Sequence, residues 1–308
     1  MKIVFFGTPK FAANILSYLF EKKVNIVALV TQPDIKKNGR ENFSETKKVS
    51  SLYLDKTDIY QPEKASNPEF INEIKKYDAD LFIVVAYGQI LKQALLDVPK
   101  QGCINVHASL LPKFRGAAPI HHAILNGEKK TGVTIQKMAR KLDTGPIILQ
   151  KEIELKEDMI FTELEEELCL MSKPLLLEVI EMYKKNDVHL QNQDESKVSY
   201  ANKITKEMKE IHFEDDAKKI YDQIRAFAKK PAAFCKVKIH DNQKELKIFE
   251  TKIIDKKLKP KEILVENSSV FIGCKDKSLE LIEVQLEGKK KMRASDFMRG
   301  AQGKISFL

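Results

Sequence analysis

The sequence predicts an α/β chain in two parts: a doubly wound, mainly parallel sheet, followed by a small C-terminal β-barrel. Three observations predict it. Short apolar runs alternate with helix-patterned stretches through the first half. The last third instead carries short period-two segments separated by Gly, Asn and Lys-Asp turns. The whole +9 net charge also falls in that last third, because residues 1–196 hold equal numbers of basic and acidic side chains.

Taken in order, residues 3–6 read as a strand ended by Gly7-Thr8-Pro9, and 11–20 have helical spacing. Residues 25–31 form a second Val/Ile-rich run. Residues 33–50 are polar, charged and non-periodic, which predicts a mobile loop. Residues 58–60 are a weak third strand and 70–76 a helix. Residues 80–86 are apolar and β-branched enough for a central strand covered on both faces. Strands separated by helices imply parallel neighbours. Residues 162–184 read as a helix interrupted near Pro174, and 186–199 as a polar linker. Beyond it come a helix at 216–229 and strand segments at 235–239, 246–251, 269–274 and 279–285. The predicted division is a first domain over 1–190, a linker over 191–205 and a second domain over 206–308.

Composition narrows the function. With 308 residues, 43% hydrophobic and 31% charged, the chain is an ordinary globular protein rather than a disordered one. No apolar run approaches the roughly 20 residues that span a bilayer. Met1 leads straight into the first strand, so no signal or transit peptide is expected and the location expected is cytoplasmic. Cys103, Cys169, Cys235 and Cys274 are far apart and form no CxxC pair. Reduced thiols and no metal site are therefore expected. The basic surplus after residue 196 has two readings: a solvated Lys-rich surface, or a face that meets a polyanion.

In a doubly wound sheet ligands gather at the C-terminal ends of the strands. Gly7-Thr8-Pro9, Ala86-Tyr87-Gly88 and the segment after Ile104 all fall there. No G-x-G-x-x-G follows the first strand, which disfavours a dinucleotide. The densest chemistry is in residues 102–119. Asn105 and His107 are two apart, so on a strand both side chains face one way. An amide donor and an imidazole aimed at one point can stabilise an oxyanion and move a proton. Asp143, in Leu142-Asp143-Thr144-Gly145-Pro146, either nucleates a turn or supplies a carboxylate to His107. Spacing alone leaves both readings open, and a lone Asn-x-His is equally at home as a hydrogen-bonded core pair.

The run from Asn105 to Pro119, with Asp143-Thr144-Gly145 beyond it, resembles the folate-dependent formyltransferases. Phe6-Gly7-Thr8-Pro9, Thr31-Gln32-Pro33-Asp34, Val84-Val85-Ala86-Tyr87-Gly88, Asn126-Gly127-Glu128, Thr131-Gly132-Val133-Thr134 and Lys291-Met292-Arg293-Ala294 continue the resemblance over nearly the whole chain. It implies a formyltransferase-type sheet and an oligonucleotide-binding-like (OB-like) barrel. It implies Asn105, His107 and Asp143 as the catalytic trio. Ser109, Leu110, Leu111 and Pro112 match the segment that contacts tetrahydrofolate, with Ala86, Tyr87 and Gly88 on the pterin side. Arg40 matches a basic residue of an inserted loop that approaches tRNA.

The reaction so implied moves the formyl group of 10-formyltetrahydrofolate to the amine of methionyl initiator tRNA, with no metal and no obligate protein partner. The alternative acceptor is the amine of a sugar nucleotide, which predicts a C-terminal region without a basic surplus. A glycinamide-ribonucleotide formyltransferase resembles the first domain alone, and a non-catalytic RNA-binding protein would lack part of the trio. This chain departs from the family pattern at 228–234 (Ala-Lys-Lys-Pro-Ala-Ala-Phe), where an aromatic, proline-rich stretch is usual, and it has no Trp. The loop around Arg40 also lacks its usual second half.

Overall fold

The computed structural model describes residues 1–37, 40–53, 58–229, 232–239, 242–301 and 305–308, with the side chains of 35–42 also outside the description. Backbone contacts divide the chain into two compact units. The first holds Met1–Pro119, Lys130–Ile153 and Glu165–Ala201, and the second holds Ile120–Lys129, Glu154–Leu164 and Asn202–Leu308. The second unit thus draws in two short segments from within the stretch that the sequence assigns to the first domain.

The first unit is built on a seven-stranded sheet. Strands β1 (Ile3–Gly7) and β2 (Ile26–Val30) precede a hairpin of β3 (Ile35–Lys37) and β4 (Arg40–Asn42). Then come β5 (Asp58–Tyr60), β6 (Leu81–Val85), β7 (Cys103–His107), β8 (Lys130–Lys137) and β9 (Ile147–Glu154). The strand order is β5-β2-β1-β6-β7-β8-β9. The five strands β5, β2, β1, β6 and β7 run parallel, and β8 turns antiparallel to β7. This is the mainly parallel, doubly wound α/β sheet expected. Every residue of β1 and β6 is buried, as befits strands covered on both faces. The chain reverses its winding between β1 and β6, so the ends of those strands open a crevice there.

Helices α1 (Lys10–Glu21), α2 (Glu45–Ser50), α3 (Pro68–Lys75) and α4 (Gln93–Leu96) connect these strands. Part of the expected loop at 33–50 is therefore helical. Ser44 caps α2 by accepting from the Lys47 N–H at 3.1 Å, and Thr46 is buried, donating to Gly7 O at 2.9 Å. A helix capped by one serine and anchored by one threonine is too short for periodicity to reveal. Helix α5 (Pro119–Leu125) follows β7, and α6 (Phe161–Lys185) follows β9. The expected break near Pro174 does not occur, and α6 runs through it. Pro174 lies on the exposed side next to exposed Leu170, whose carbonyl loses its donor where water can replace it. Buried Leu168, Leu175, Leu176, Val179 and Ile180 hold both halves in place.

The second unit carries an antiparallel sheet of β10 (Ala233–Ile239), β11 (Asn242–Ile254), β12 (Ile263–Glu266), β13 (Ser269–Gly273), β14 (Ser278–Leu286), β15 (Met292–Arg293) and β16 (Ile305–Phe307). Helices α7 (Ala217–Ala226) and α8 (Ala294–Gly300) supply further core side chains. Irregularities in the β11–β14 register at Ile248, Glu250 and Thr251 let the long β11 bend. The sheet curls into an OB-like half-barrel around Phe213, Ile220, Phe227, Cys235, Ile248 and Leu279.

Within this unit His121 stacks on Phe161 at 4.0 Å between ring centroids, with Phe227 at 5.5 Å. Burial, and secondarily the neighbouring His122, pull the His121 imidazole down to about 4. An unfolded histidine takes up a proton near pH 6.5, but the folded one resists until about 4. Its contribution is therefore present above the unfolded value and lost as pH falls through this window. His121→Phe should keep the stack and flatten the fall in thermal stability between pH 6.5 and 4 by on the order of 2 kcal/mol. Melting curves across that range check it, and an unchanged slope would mean that other groups govern acid sensitivity.

Candidate active site

The site grows from the C-terminal end of β7. Strand alternation places Asn105 and His107 on one side, as expected. Asp143 meets them from the loop between β8 and β9. Its carboxylate, 8% exposed, accepts from the Gly116 N–H (2.9 Å, Oδ2), Gln136 Nε2 (2.9 Å, Oδ1) and Asn105 Nδ2 (3.4 Å, Oδ1). His107 Nδ1 lies 3.7 Å from Oδ2. The three residues singled out by sequence thus share one spot, and Asp143 does more than make a turn.

The imidazole has a defined orientation. Nε2 lies 2.9 Å from the carbonyl oxygen of Phe114, which can only accept, so Nε2 carries a proton. Nδ1 is the nitrogen left to exchange a proton beside Asp143. Phe114 has φ 61° and Asp143 φ 53°, the left-handed region that a bulky residue rarely adopts. Such positions cost about 1–3 kcal/mol each and persist only where the surroundings fix them. Here the Phe114 N–H donates to Ser199 Oγ at 2.9 Å. Gly145 follows Asp143 by two residues, and a Cβ there would lie 1.7 Å from Lys137 O, so the loop can close only with glycine.

The segment Ser109–Pro112 forms the adjoining turn, with a cis Leu111–Pro112 peptide. Ser109 is fully buried and its hydroxyl donates to Lys113 O at 2.6 Å. Thr134 Oγ1 donates to Ser109 O at 2.6 Å and accepts from the Leu111 N–H at 3.0 Å. Gln150 donates to Leu111 O at 2.8 Å. Ser109 and Leu111 therefore shape the turn, while Leu110 and Pro112 are half-buried. At the end of β6, Ala86 (φ 46°) and Gly88 (φ 91°) are exposed. Tyr87 between them points into the core, edge-on to Phe6 at 5.4 Å, and burial pushes its hydroxyl up to about 12. Its backbone oxygen accepts from Thr8 at 3.0 Å and Gln32 at 3.1 Å, tying the ends of β1 and β6 together.

A cleft beside Asp143 is lined by Gln89, Ile90, Leu91, Gln136, Met138 and Leu142, among others. Ile90 is 73% exposed and Leu142 60% exposed, so apolar side chains stand open at its mouth. Arg140 and Asp143 add charge to its lining, and its volume of about 50 Å³ is well below the roughly 300–1,000 Å³ of a formed small-molecule pocket. Arg40 begins β4, and its side chain lies outside the described residues. Among the described residues no three His, Cys, Asp or Glu side chains are grouped to hold a metal, and no helix is long and apolar enough to cross a membrane.

Two family models match the chain: Formyl transferase over residues 1–180, and Formyl transferase, C-terminal domain, over 203–302. This chain belongs to the formyl transferase family. One relative, the methionyl-tRNA formyltransferase of Protochlamydia amoebophila (strain UWE25), is 42% identical over 100% of this chain and 98% of its own. Among solved structures, the sugar 3N-formyl transferase WlaRD, in the presence of dTDP and 5-N-formyl-THF, is 20% identical with a TM-score of 0.66, covering 94% of this chain and 99% of that one. HypX from Aquifex aeolicus, in complex with tetrahydrofolic acid, gives 17% identity and a TM-score of 0.64 over 98% of this chain, which spans 47% of HypX. These two likenesses concern the fold. The cluster around Asp143 also contains residues that the sequence did not single out: Gln136, Arg115 and Gln193. Gln136 and Gln193 carry no motif signal, and Arg115, although it lies in the run from Asn105 to Pro119, gives no sign in the sequence of a partner 78 residues away.

Proposed function

We infer that the enzyme formylates the amine of methionyl initiator tRNA, using 10-formyltetrahydrofolate, in the cytoplasm. The observation that carries this reading is full-length identity of 42% to a methionyl-tRNA formyltransferase. The solved structures with sugar and folate ligands are far more distant in sequence. Exposed Ala86 and Gly88 suit close approach of a ring to the backbone.

10-Formyltetrahydrofolate supplies the electrophilic formyl carbon. As the amine adds, negative charge grows on the formyl oxygen, and Asn105 Nδ2 is placed to meet it. Its bond to Asp143 is long, at 3.4 Å, and is readily exchanged for a stronger acceptor. Asp143 accepts the proton that the amine loses, and His107 Nδ1 beside it is the next station for that proton on its way to the departing nitrogen. The Phe114 carbonyl keeps Nε2 protonated and the ring in orientation throughout.

The C-terminal unit would supply tRNA affinity through its basic surplus. A cavity there of about 490 Å³ is lined by Arg225, Lys229, Phe249, Lys252 and Lys291 among others. Lys291 is already committed, 3.6 Å above the Phe249 ring and 2.8 Å from Glu283. The deciding experiment offers labelled 10-formyltetrahydrofolate with either methionyl initiator tRNA or amino-sugar nucleotides. Transfer to the tRNA supports the reading, and transfer only to the sugar nucleotide overturns it.

A further inference from the structure

Residues 191–201, which lie within the linker expected over 191–205, belong to the first unit and form a strap beside Asp143. At one end Gln191 pairs with Ile147, exchanging two backbone hydrogen bonds of 2.8 and 2.9 Å. At the other, Arg115 N donates to Ser199 O at 2.9 Å and Ala201 N donates to Arg115 O at 2.8 Å. The strap therefore joins the two loops that make the site: the one carrying Asp143 and the one carrying Phe114 and Gly116.

Gln193 sits at its centre. Its Nε2 donates to Asp143 O at 2.9 Å and to Gly145 O at 2.7 Å, with Gln136 Oε1 at 3.3 Å. Its Oε1 accepts from Arg115 Nε at 3.0 Å and Nη2 at 2.8 Å. Arg115 is 3% exposed and is held in turn by a forked pair with Glu195, at 2.7 and 3.2 Å. One amide thus closes the backbone on either side of Thr144, where Asp143 adopts φ 53°. Gln136, the other glutamine in the cluster, holds the Asp143 carboxylate directly.

We propose that Gln193 is a positioning residue for formyl transfer, locking the Asp143 loop so that its carboxylate stays on Asn105 and His107. The proposal rests on the role given to Asp143 above. Its physical basis is that a left-handed, non-glycine residue such as Asp143 persists only where its surroundings over-determine it. Gln193 bonds the carbonyls of both Asp143 and Gly145. A displacement of about 1 Å at a reacting group can cost on the order of 10²-fold in rate.

Gln193→Glu is the informative variant. It keeps size and the acceptor for Arg115, but replaces the amide nitrogen and both its N–H donors with one carboxylate oxygen facing the carbonyls of Asp143 and Gly145. The expected result is a kcat reduced about tenfold or more, with KM for 10-formyltetrahydrofolate within about twofold of wild type, since Gln193 does not line the cleft. The same change made on top of Asp143→Asn should cost little further, because a positioning residue has nothing left to position. If Asp143→Asn retains near-normal kcat, the catalytic reading of Asp143 fails and this proposal falls with it. If Asp143→Asn is crippled while Gln193→Glu is normal in kcat, or if the two losses simply multiply, Asp143 stands and the role given to Gln193 is overturned.

Discussion

Asp143→Asn should lower formyl-transfer turnover by about 10²–10⁴-fold while leaving a folded protein. Asparagine tolerates the left-handed backbone that Asp143 adopts, so the loop itself survives the change. The carboxylate does not. It accepts from Gly116, Gln136 and Asn105, and an amide in its place must present N–H to at least one of those donors. One buried donor left without an acceptor costs about 1–3 kcal/mol, which a melting curve would register as a modest drop. Loss of the negative charge removes the acceptor for the amine proton, which is the larger effect on rate. Single-turnover measurements with pre-formed enzyme and donor separate that step from binding. Turnover within a few-fold of wild type, with the melting temperature lowered, would reduce Asp143 to a loop-former.

His107→Ala is expected to lower turnover by at least about 10²-fold, with donor binding retained. The motive is the fixed orientation of the ring: Nε2 on Phe114 O and Nδ1 toward Asp143. Removing the ring also strands the Phe114 carbonyl in a loop whose backbone is already strained, so the variant should be somewhat less stable. Added imidazole distinguishes the two consequences. Partial recovery of rate by free imidazole marks a lost proton carrier, whereas a collapsed loop would not respond. Equal turnover in variant and wild type would remove His107 from the mechanism.

Asn105 and His107 were legible as a pair because their spacing is local, whereas Asp143, 38 residues from Asn105, was joined to them only by the family resemblance. Asn105 and His107 share a strand, and a period of two fixes their common side whatever surrounds them. The ring's orientation was not legible, since Phe114 O reaches Nε2 only after 108–116 has folded back on itself. The folate-facing assignments divide in the same way. A motif names Ala86, Tyr87 and Gly88 together, yet the structure exposes the first and third and buries Tyr87 against Phe6. The run through Pro174 and the short α2 depart from the sequence expectation for a shared reason: each is decided by what the segment packs against. Local propensity predicts a break at proline and a loop at polar residues, and burial of one face overrides both.

By itself the sequence determined the switch from a parallel to an antiparallel architecture and the position of the net charge, and its resemblance to a known family pointed to Asn105, His107 and Asp143. These are properties of periodicity, composition and short motifs, which survive without knowledge of contacts. Only the tertiary structure decided that 191–201 is strapped to the Asp143 and Phe114 loops, that Gln136, Arg115 and Gln193 build the surroundings of Asp143, and that 120–129 and 154–164 belong with the second unit. The physical reason is one of range. Gln193 lies 50 residues from Asp143 and 78 from Arg115, and a polar side chain in a non-periodic segment carries no local sign of partners that distant.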